Sequence, residues 1–148
     1  MSRTAPLSVR DIMSRDPVTI APDAPLGAAL TTMRVREIRH LPVVEPDGRL
    51  VGIVTDRDLR QATLARFHAL REAERDVLVQ DVMTCAVVTI EADAPVTRAA
   101  ALMYERRIGS VPVVEGGRLA GIVTERDLLL ALIRESPTRA PAVEPFLW

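Results

Sequence analysis

An internal echo constrains this chain more than any other feature. The segment V-R-D-I-M-S at residues 9–14 returns as V-Q-D-V-M-T at 79–84, an offset of 70. The same offset carries V-T-I (18–20 and 88–90), D-A-P (23–25 and 93–95) and P-V-V-E (42–45 and 112–115). One deletion then shortens it to 69, so that G-I-V-T-D-R-D-L at 52–59 matches G-I-V-T-E-R-D-L at 121–128. Such agreement means duplication of one supersecondary unit of about 50 residues, and two copies make a pseudo-symmetric pair, not a solenoid. With 148 residues the chain is long enough to enclose a real core.

Within each copy the hydrophobic period changes in one order. Residues 18–20 are a β-branched run closed by Pro22, after which Leu26, Ala29, Leu30 and Met33 fall at helical spacing. Asp23 is the expected N-cap of that helix, with Pro25 in its first turn. Residues 41–44 and 50–55 are β-rich and joined by E-P-D-G as a hairpin, and a second helix starts near Asp56. Residues 88–90, the stripe Val96, Ala99, Ala100 and Met103, and the runs 111–114 and 119–124 around Gly116 and Gly117 repeat the order β-α-β-β-α. The expected fold class is therefore α/β (α+β). Pro42 and Pro112 are expected at strand starts or edges, because proline donates nothing to a ladder. The expected divisions are a first domain at 8–66, a helical connector at 67–78, a second domain at 79–135 and a proline-rich tail at 136–148. That tail ends in an apolar hook, Phe146, Leu147 and Trp148, suited to docking on a neighbour.

Composition removes several function classes. Lys+Arg total 19 against 20 Asp+Glu, a net charge of -1, so no global field favours nucleic acid or an anionic membrane. Aromatic residues are only 3%, a poor supply of stacking platforms for single strands. The single cysteine, Cys85, forms no internal disulfide, and with two histidines it cannot build an ordinary zinc cage. Charges interrupt the N-terminus, and the apolar run 128–133 is far short of the roughly 20 residues of a spanning helix. A soluble, cytoplasmic protein is expected. Cys85 reads as a lone, partly buried thiol near the second copy's cleft, His68 as a solvated connector residue, and Met33 and Met103 as core fillers.

The repeated G-I-V-T-(D/E)-R-D carries the chemistry. Each copy runs an apolar strand straight into Thr, an acid, Arg and Asp at a helix start, where backbone N–H groups and the helix dipole converge on one spot. The Thr55 and Thr124 hydroxyls can meet a phosphate oxygen there. Asp58 and Asp127, one turn on, can accept from the cis hydroxyls of a ribose. Gly52 and Gly121 are expected to leave room for a ligand against the backbone. The same T-x-x-D is equally a capping box, Thr and Asp closing the helix start on each other, and both readings stand at this point.

The whole pattern, D-I-M, V-T-I, D-A-P-L, H-L-P-V-V and G-I-V-T-D-R-D-L occurring twice across residues 9–134, resembles a tandem pair of cystathionine β-synthase (CBS) domains, a Bateman module. The resemblance implies two domains packed pseudo-symmetrically through their sheets, with clefts for adenosine-containing ligands and dimers of modules forming a flat disc. It implies Thr55 and Asp58 in one cleft, and Thr124 and Asp127 in the other, on phosphate and ribose. It implies that the base lies against Asp16, Pro17 and Val18, and against Ala86, Val87 and Val88. In the segment before the P-V-V strand the copies diverge, Arg39 and His40 against Gly109 and Ser110. Arg39 and His40 can donate charge-assisted bonds to a di- or triphosphate, or His40 can simply be a half-exposed residue satisfied by water. Arg57 and Arg126 can point to phosphate or into solvent.

No repeated nucleophile, base or metal-ligand set is present, so no catalytic residue, metal or cofactor is expected. The expected function is a regulatory sensor binding AMP, ADP, ATP, NAD or S-adenosylmethionine between the copies, a homodimer that signals to a separate effector protein. The alternative is a structural dimerisation or protein-interaction module with no small-molecule ligand.

Overall fold

The computed structural model describes residues 6–69 and 77–135. The first copy contributes α1 (Val9–Ile12), β1 (Ser14–Arg15), α2 (Leu26–Arg36), the hairpin β2 (His40–Val44) and β3 (Leu50–Thr55), and α3 (Asp56–Ala69). The second contributes α4 (Val79–Val82), β4 (Ile90–Glu91), α5 (Val96–Arg106), the hairpin β5 (Ser110–Glu115) and β6 (Arg118–Thr124), and α6 (Glu125–Glu135). The duplication extends to the irregularities: both antiparallel hairpins shift register at the same place, between Val43 and Val44 and between Val113 and Val114. The tail with its hook, much of the connector and the side chain of His68 lie outside the described residues.

The prolines lie inside their strands rather than at the starts, Pro42 on the edge strand β2 of the two-stranded sheet and Pro112 on β5 between β6 and β4. Pro42 and Pro112 are the third residues of their strands and are fully buried. Their missing N–H still has a consequence. Ile20 donates to the Pro42 carbonyl and its own carbonyl accepts from Val44, a parallel pairing whose next bond would run from the Pro42 nitrogen to Val18. That donor does not exist, so the expected strand at 18–20 reduces to a single bridge between Ile20 and Val43. In the second copy the expected strand at 88–90 begins only at Ile90, paired with Val113. Asp23 likewise does not cap α2. The N-cap is Pro25, held extended by a bridge to Leu78, and the Leu26 N–H goes to the Val77 carbonyl 2.9 Å away.

These bonds reveal an exchange. The leading arm of each copy packs into the other copy's core. Val9 donates to Ala94, Arg10 to Ala92, and β1 pairs with β6 so that Ser14 faces Ile122 and Arg15 faces Gly121. Reciprocally, Val79 donates to Ala24, Gln80 to Pro22, and Thr84 is bridged to Ile53. Val9 is fully buried among Ile90, Ala99, Met103 and Val111 of the second core, and Val79 among Leu26, Met33, Leu41 and Leu59 of the first. Each such valine contributes about 1.5–3 kcal/mol by leaving water, so neither core is complete without the other repeat. The four-stranded sheet of order β1-β6-β5-β4 and the two-stranded β2-β3 sheet also meet directly, through an antiparallel bridge between the equivalent residues Arg49 and Arg118.

Candidate functional site

The two strand-to-helix junctions, Thr55 into α3 and Thr124 into α6, close as capping boxes. The Thr55 N–H donates to Asp58 Oδ2 at 3.0 Å, and the Asp58 N–H to Thr55 Oγ1 at 3.2 Å. At the second junction the Thr124 N–H donates to Asp127 Oδ2 at 2.8 Å and the Asp127 N–H to Thr124 Oγ1 at 3.4 Å. The first N–H of each helix is also taken: Asp56 donates to the Arg39 carbonyl at 2.9 Å and Glu125 to that of Gly109 at 3.1 Å. The convergence of free backbone donors expected here is therefore smaller than expected. Among the described residues it comes down to the Arg57 N–H at one junction and the Arg126 N–H at the other. Both side chains are exposed.

The junctions are not identical. Thr124 Oγ1 donates to Asp127 Oδ2 at 3.1 Å, whereas the Thr55 hydroxyl only accepts and keeps its hydrogen for an outside acceptor. Asp56 is held by Arg60 at 3.1 Å, four residues on. Leu129 stands at the corresponding place after Glu125.

The residues that diverge between the copies meet across their boundary. An ideal Cβ on Gly109 would lie 3.3 Å from His40 Nε2 and 3.8 Å from the Glu125 carboxyl carbon. His40 thus fills the space that a side chain at 109 would take, and the difference between R-H and G-S is a packing complementarity. Ser110 is 5% exposed, while Arg39 is exposed. Burial pushes the His40 imidazole below its ordinary 6.5, outweighing the carboxylates of Asp56, Glu125 and Asp58, which favour its charged form; Arg39 adds to the lowering. Asp16, Pro17 and Val18 lie on a span that leaves the second copy at β1 and joins the first at Ile20, and Ala86, Val87 and Val88 on one that leaves the first at Thr84 and joins the second at Ile90. Asp16 turns this span with a left-handed φ of 49°.

Two expectations are overturned. Gly52 and Gly121 leave no room for a ligand: an added Cβ would stand 2.5 Å from Met83 Sδ at Gly52, and 2.7 Å from the Ser14 carbonyl oxygen at Gly121. The exchanged arms take that space. Cys85 is exposed rather than partly buried, and it follows Thr84 beside β3 of the first copy. The arm exchange is not evident from the sequence, although the repeated M-S/M-T directly after each short leading helix and the repeated glycine are the two halves of its contact. Among the described residues no group of three or more His, Cys, Asp or Glu is placed to hold a metal, and no helix is long and apolar enough to cross a membrane.

Comparison with known proteins agrees with this architecture. The CBS domain matches residues 9–65 and again 79–134. A CBS domain-containing protein of Dictyostelium discoideum is 43% identical over 134 residues, covering 85% of this chain and 91% of its own. The CBS domain pair of protein MJ0100, solved with 5′-methylthioadenosine and S-adenosyl-L-methionine, superposes with a TM-score of 0.78 at 32% identity, over 89% of this chain and all of that one. CBSX2 in complex with AMP gives 0.77 at 26% identity, over 86% and 96%. Longer relatives include inosine-5′-monophosphate dehydrogenase of Methanocaldococcus jannaschii and homoserine O-acetyltransferases of methanogens, and the chain spans only 22–24% of their length.

Proposed function

This chain belongs to the CBS domain family, and from that premise we propose a regulatory module that binds an adenosine-containing ligand between its two repeats and passes the change to a separate effector. The domain pair is a binding module and not a catalyst; the enzymes that match it do so through their CBS regions. The observation that carries the proposal is the duplicated junction, together with the 5′-methylthioadenosine, S-adenosyl-L-methionine and AMP bound by similar pairs. Asp58 and Asp127 each use only Oδ2 within their capping boxes, so Oδ1 is available to a ribose hydroxyl. The Arg57 and Arg126 N–H groups and the uncommitted Thr55 hydroxyl face a phosphate, and the spans containing Asp16, Pro17 and Val18, and Ala86, Val87 and Val88, hold the base. Arg39 extends the first cleft toward a polyphosphate. With its functional units taken as 8–66 and 79–135, the ligand acts by population shift, favouring the relative angle of the repeats for which it has higher affinity.

The chain works as a cytoplasmic homodimer in this reading. Its helical layer supplies the surface: Tyr104 on α5 and Leu129, Leu132 and Ile133 on α6 are all more than half exposed, the kind of apolar surface that marks an interaction face.

A second reading is favoured by the completed capping boxes, in which the duplicated Thr and Asp serve the helices alone and dimerisation is the function. A thermal-shift series with AMP, ATP, NAD and S-adenosylmethionine separates the two. A ligand at about 100 times its Kd adds about 2.7 kcal/mol, which raises Tm by roughly 5–11 °C. Loss of that rise in Asp58→Ala or Asp127→Ala supports the ligand reading and locates its cleft. The second reading is supported by no rise with any ligand and only the loss of a cap, about 0.5–2 kcal/mol, in each variant.

A further inference from the structure

A cleft of about 390 Å³ opens between the exchanged arm α1-β1 and the β5-β6 hairpin of the second repeat. Its polar lining is Arg10, Arg15, Asp16, Glu115 and Arg118, and the remainder is apolar. None of Thr55, Asp58, Thr124 and Asp127 contributes to it, so it is distinct from both junctions, and it shares only Asp16 with the span assigned to the base.

Three guanidinium groups in one concavity call for counter-charge. Arg10 is paired with Glu115. Arg15 and Arg118 have no carboxylate within 4 Å among the described residues. The backbone fixes this crowding: Arg15 faces Gly121 in the β1-β6 pairing, three residues along the strand from Arg118. The bridge between Arg118 and Arg49 brings a fourth arginine alongside. Within the cleft the three guanidinium groups of Arg10, Arg15 and Arg118 outnumber the carboxylates of Asp16 and Glu115 by one. At the equivalent place beside the first repeat's hairpin, the second copy's arm brings Gln80, Cys85 and Ala86 where Arg10, Arg15 and Asp16 stand here. Divergence has thus concentrated cations on one side of an otherwise duplicated frame.

The geometry points to a binding site for the pyrophosphate group of a small molecule. The cleft lies within the roughly 300–1,000 Å³ of ordinary small-ligand sites. Guanidinium groups bind phosphate oxygens through two parallel bonds. Two of them on the paired strands β1 and β6 suit two linked phosphates better than one carboxylate. This inference does not depend on an adenosyl ligand at the junctions.

Isothermal titration of the full chain with inorganic pyrophosphate at about 0.05 M ionic strength tests it. The expected result is saturable binding of one equivalent, weakened about tenfold or more by Arg15→Gln with Arg118→Gln and unchanged by Asp127→Ala. Both arginines are exposed, so the double variant should keep the parent's thermal midpoint without ligand. Three outcomes overturn the proposal: no saturable heat, equal binding by the double variant, or loss of binding in Asp127→Ala. The last would place the anion at the junction instead.

Discussion

Helices α3 and α6 begin alike, with D-R-D-L and E-R-D-L, and then part. Arg60, Gln61 and Thr63 on α3 stand where α6 has Leu129, Leu130 and Leu132. The Thr and Asp of the capping box and the inward residues Leu59 and Ala62, Leu128 and Ala131 have stayed the same, while the outward face of the second helix has become apolar. The same contrast runs through the molecule: Arg39 and His40 against Gly109 and Ser110, Cys85 against Arg15. Duplicated positions that serve a shared contact remain paired, and those facing outward or across the pseudo-twofold are free to take different work.

The largest expected effect breaks the apparent equivalence of the two strand glycines. Gly121→Ala drives a Cβ to 2.7 Å from a backbone oxygen, that of Ser14, which cannot move without dislodging β1. Gly52→Ala collides first with Met83 Sδ, a flexible group, and its backbone contact with Thr84 is a milder 3.1 Å. Denaturant melts should show a loss of about 1–3 kcal/mol for Gly52→Ala and more, about 3 kcal/mol or above, for Gly121→Ala. Equal losses would mean that the two exchanged arms are held alike.

Next comes the helical layer. Replacing Leu129 by Arg and Leu132 by Thr brings α6 close to α3. Sedimentation equilibrium should then show the dimer dissociation constant rising about 30-fold or more, corresponding to 2 kcal/mol of interface, whereas Leu64→Ala on α3 should change it little. A parent chain that is monomeric, or a dimer indifferent to α6, would remove the contrast as a basis for assembly.

The smallest effect sharpens the difference at the boundary. Burial lowers the His40 pKa below 6.5, so below that pH the unfolded chain binds more protons than the folded one. The stability this residue contributes is complete above pH 6.5 and falls as the pH drops through its lowered folded value. His40→Ser, which installs the second repeat's residue, should flatten the pH dependence between 7 and 5 by at most about 1.4 kcal/mol per pH unit. An unchanged slope would assign that dependence to other groups.

Much of this was legible in the residues. The duplication, the hairpins and the strand-to-helix junctions follow from spacing, because a period of two, a period of 3.6 and a T-x-x-D cap are local properties, and the family follows from the resemblance of the repeated motifs. The capping box was legible too, with Thr and Asp closing each helix start on each other. Strand length was less so: Pro42 terminates a ladder only because Ile20 comes to lie against it, and that approach is set by packing.

The sequence by itself determined that there are two like units, that each carries a hairpin between two helices, and that a Thr and an Asp close each strand-to-helix junction. Only the tertiary structure decided that the units are interlocked. Val9 and Val79 look interchangeable in the chain, each a valine before its own repeat, yet each is buried in the other's core. The reason is physical: a hydrophobic residue's position along the chain says that it must leave water, and long-range register says into which core. The same register placed Met83 over Gly52 and His40 over Gly109, turning positions that read as open space or ligand contacts into the seams that hold the two repeats together.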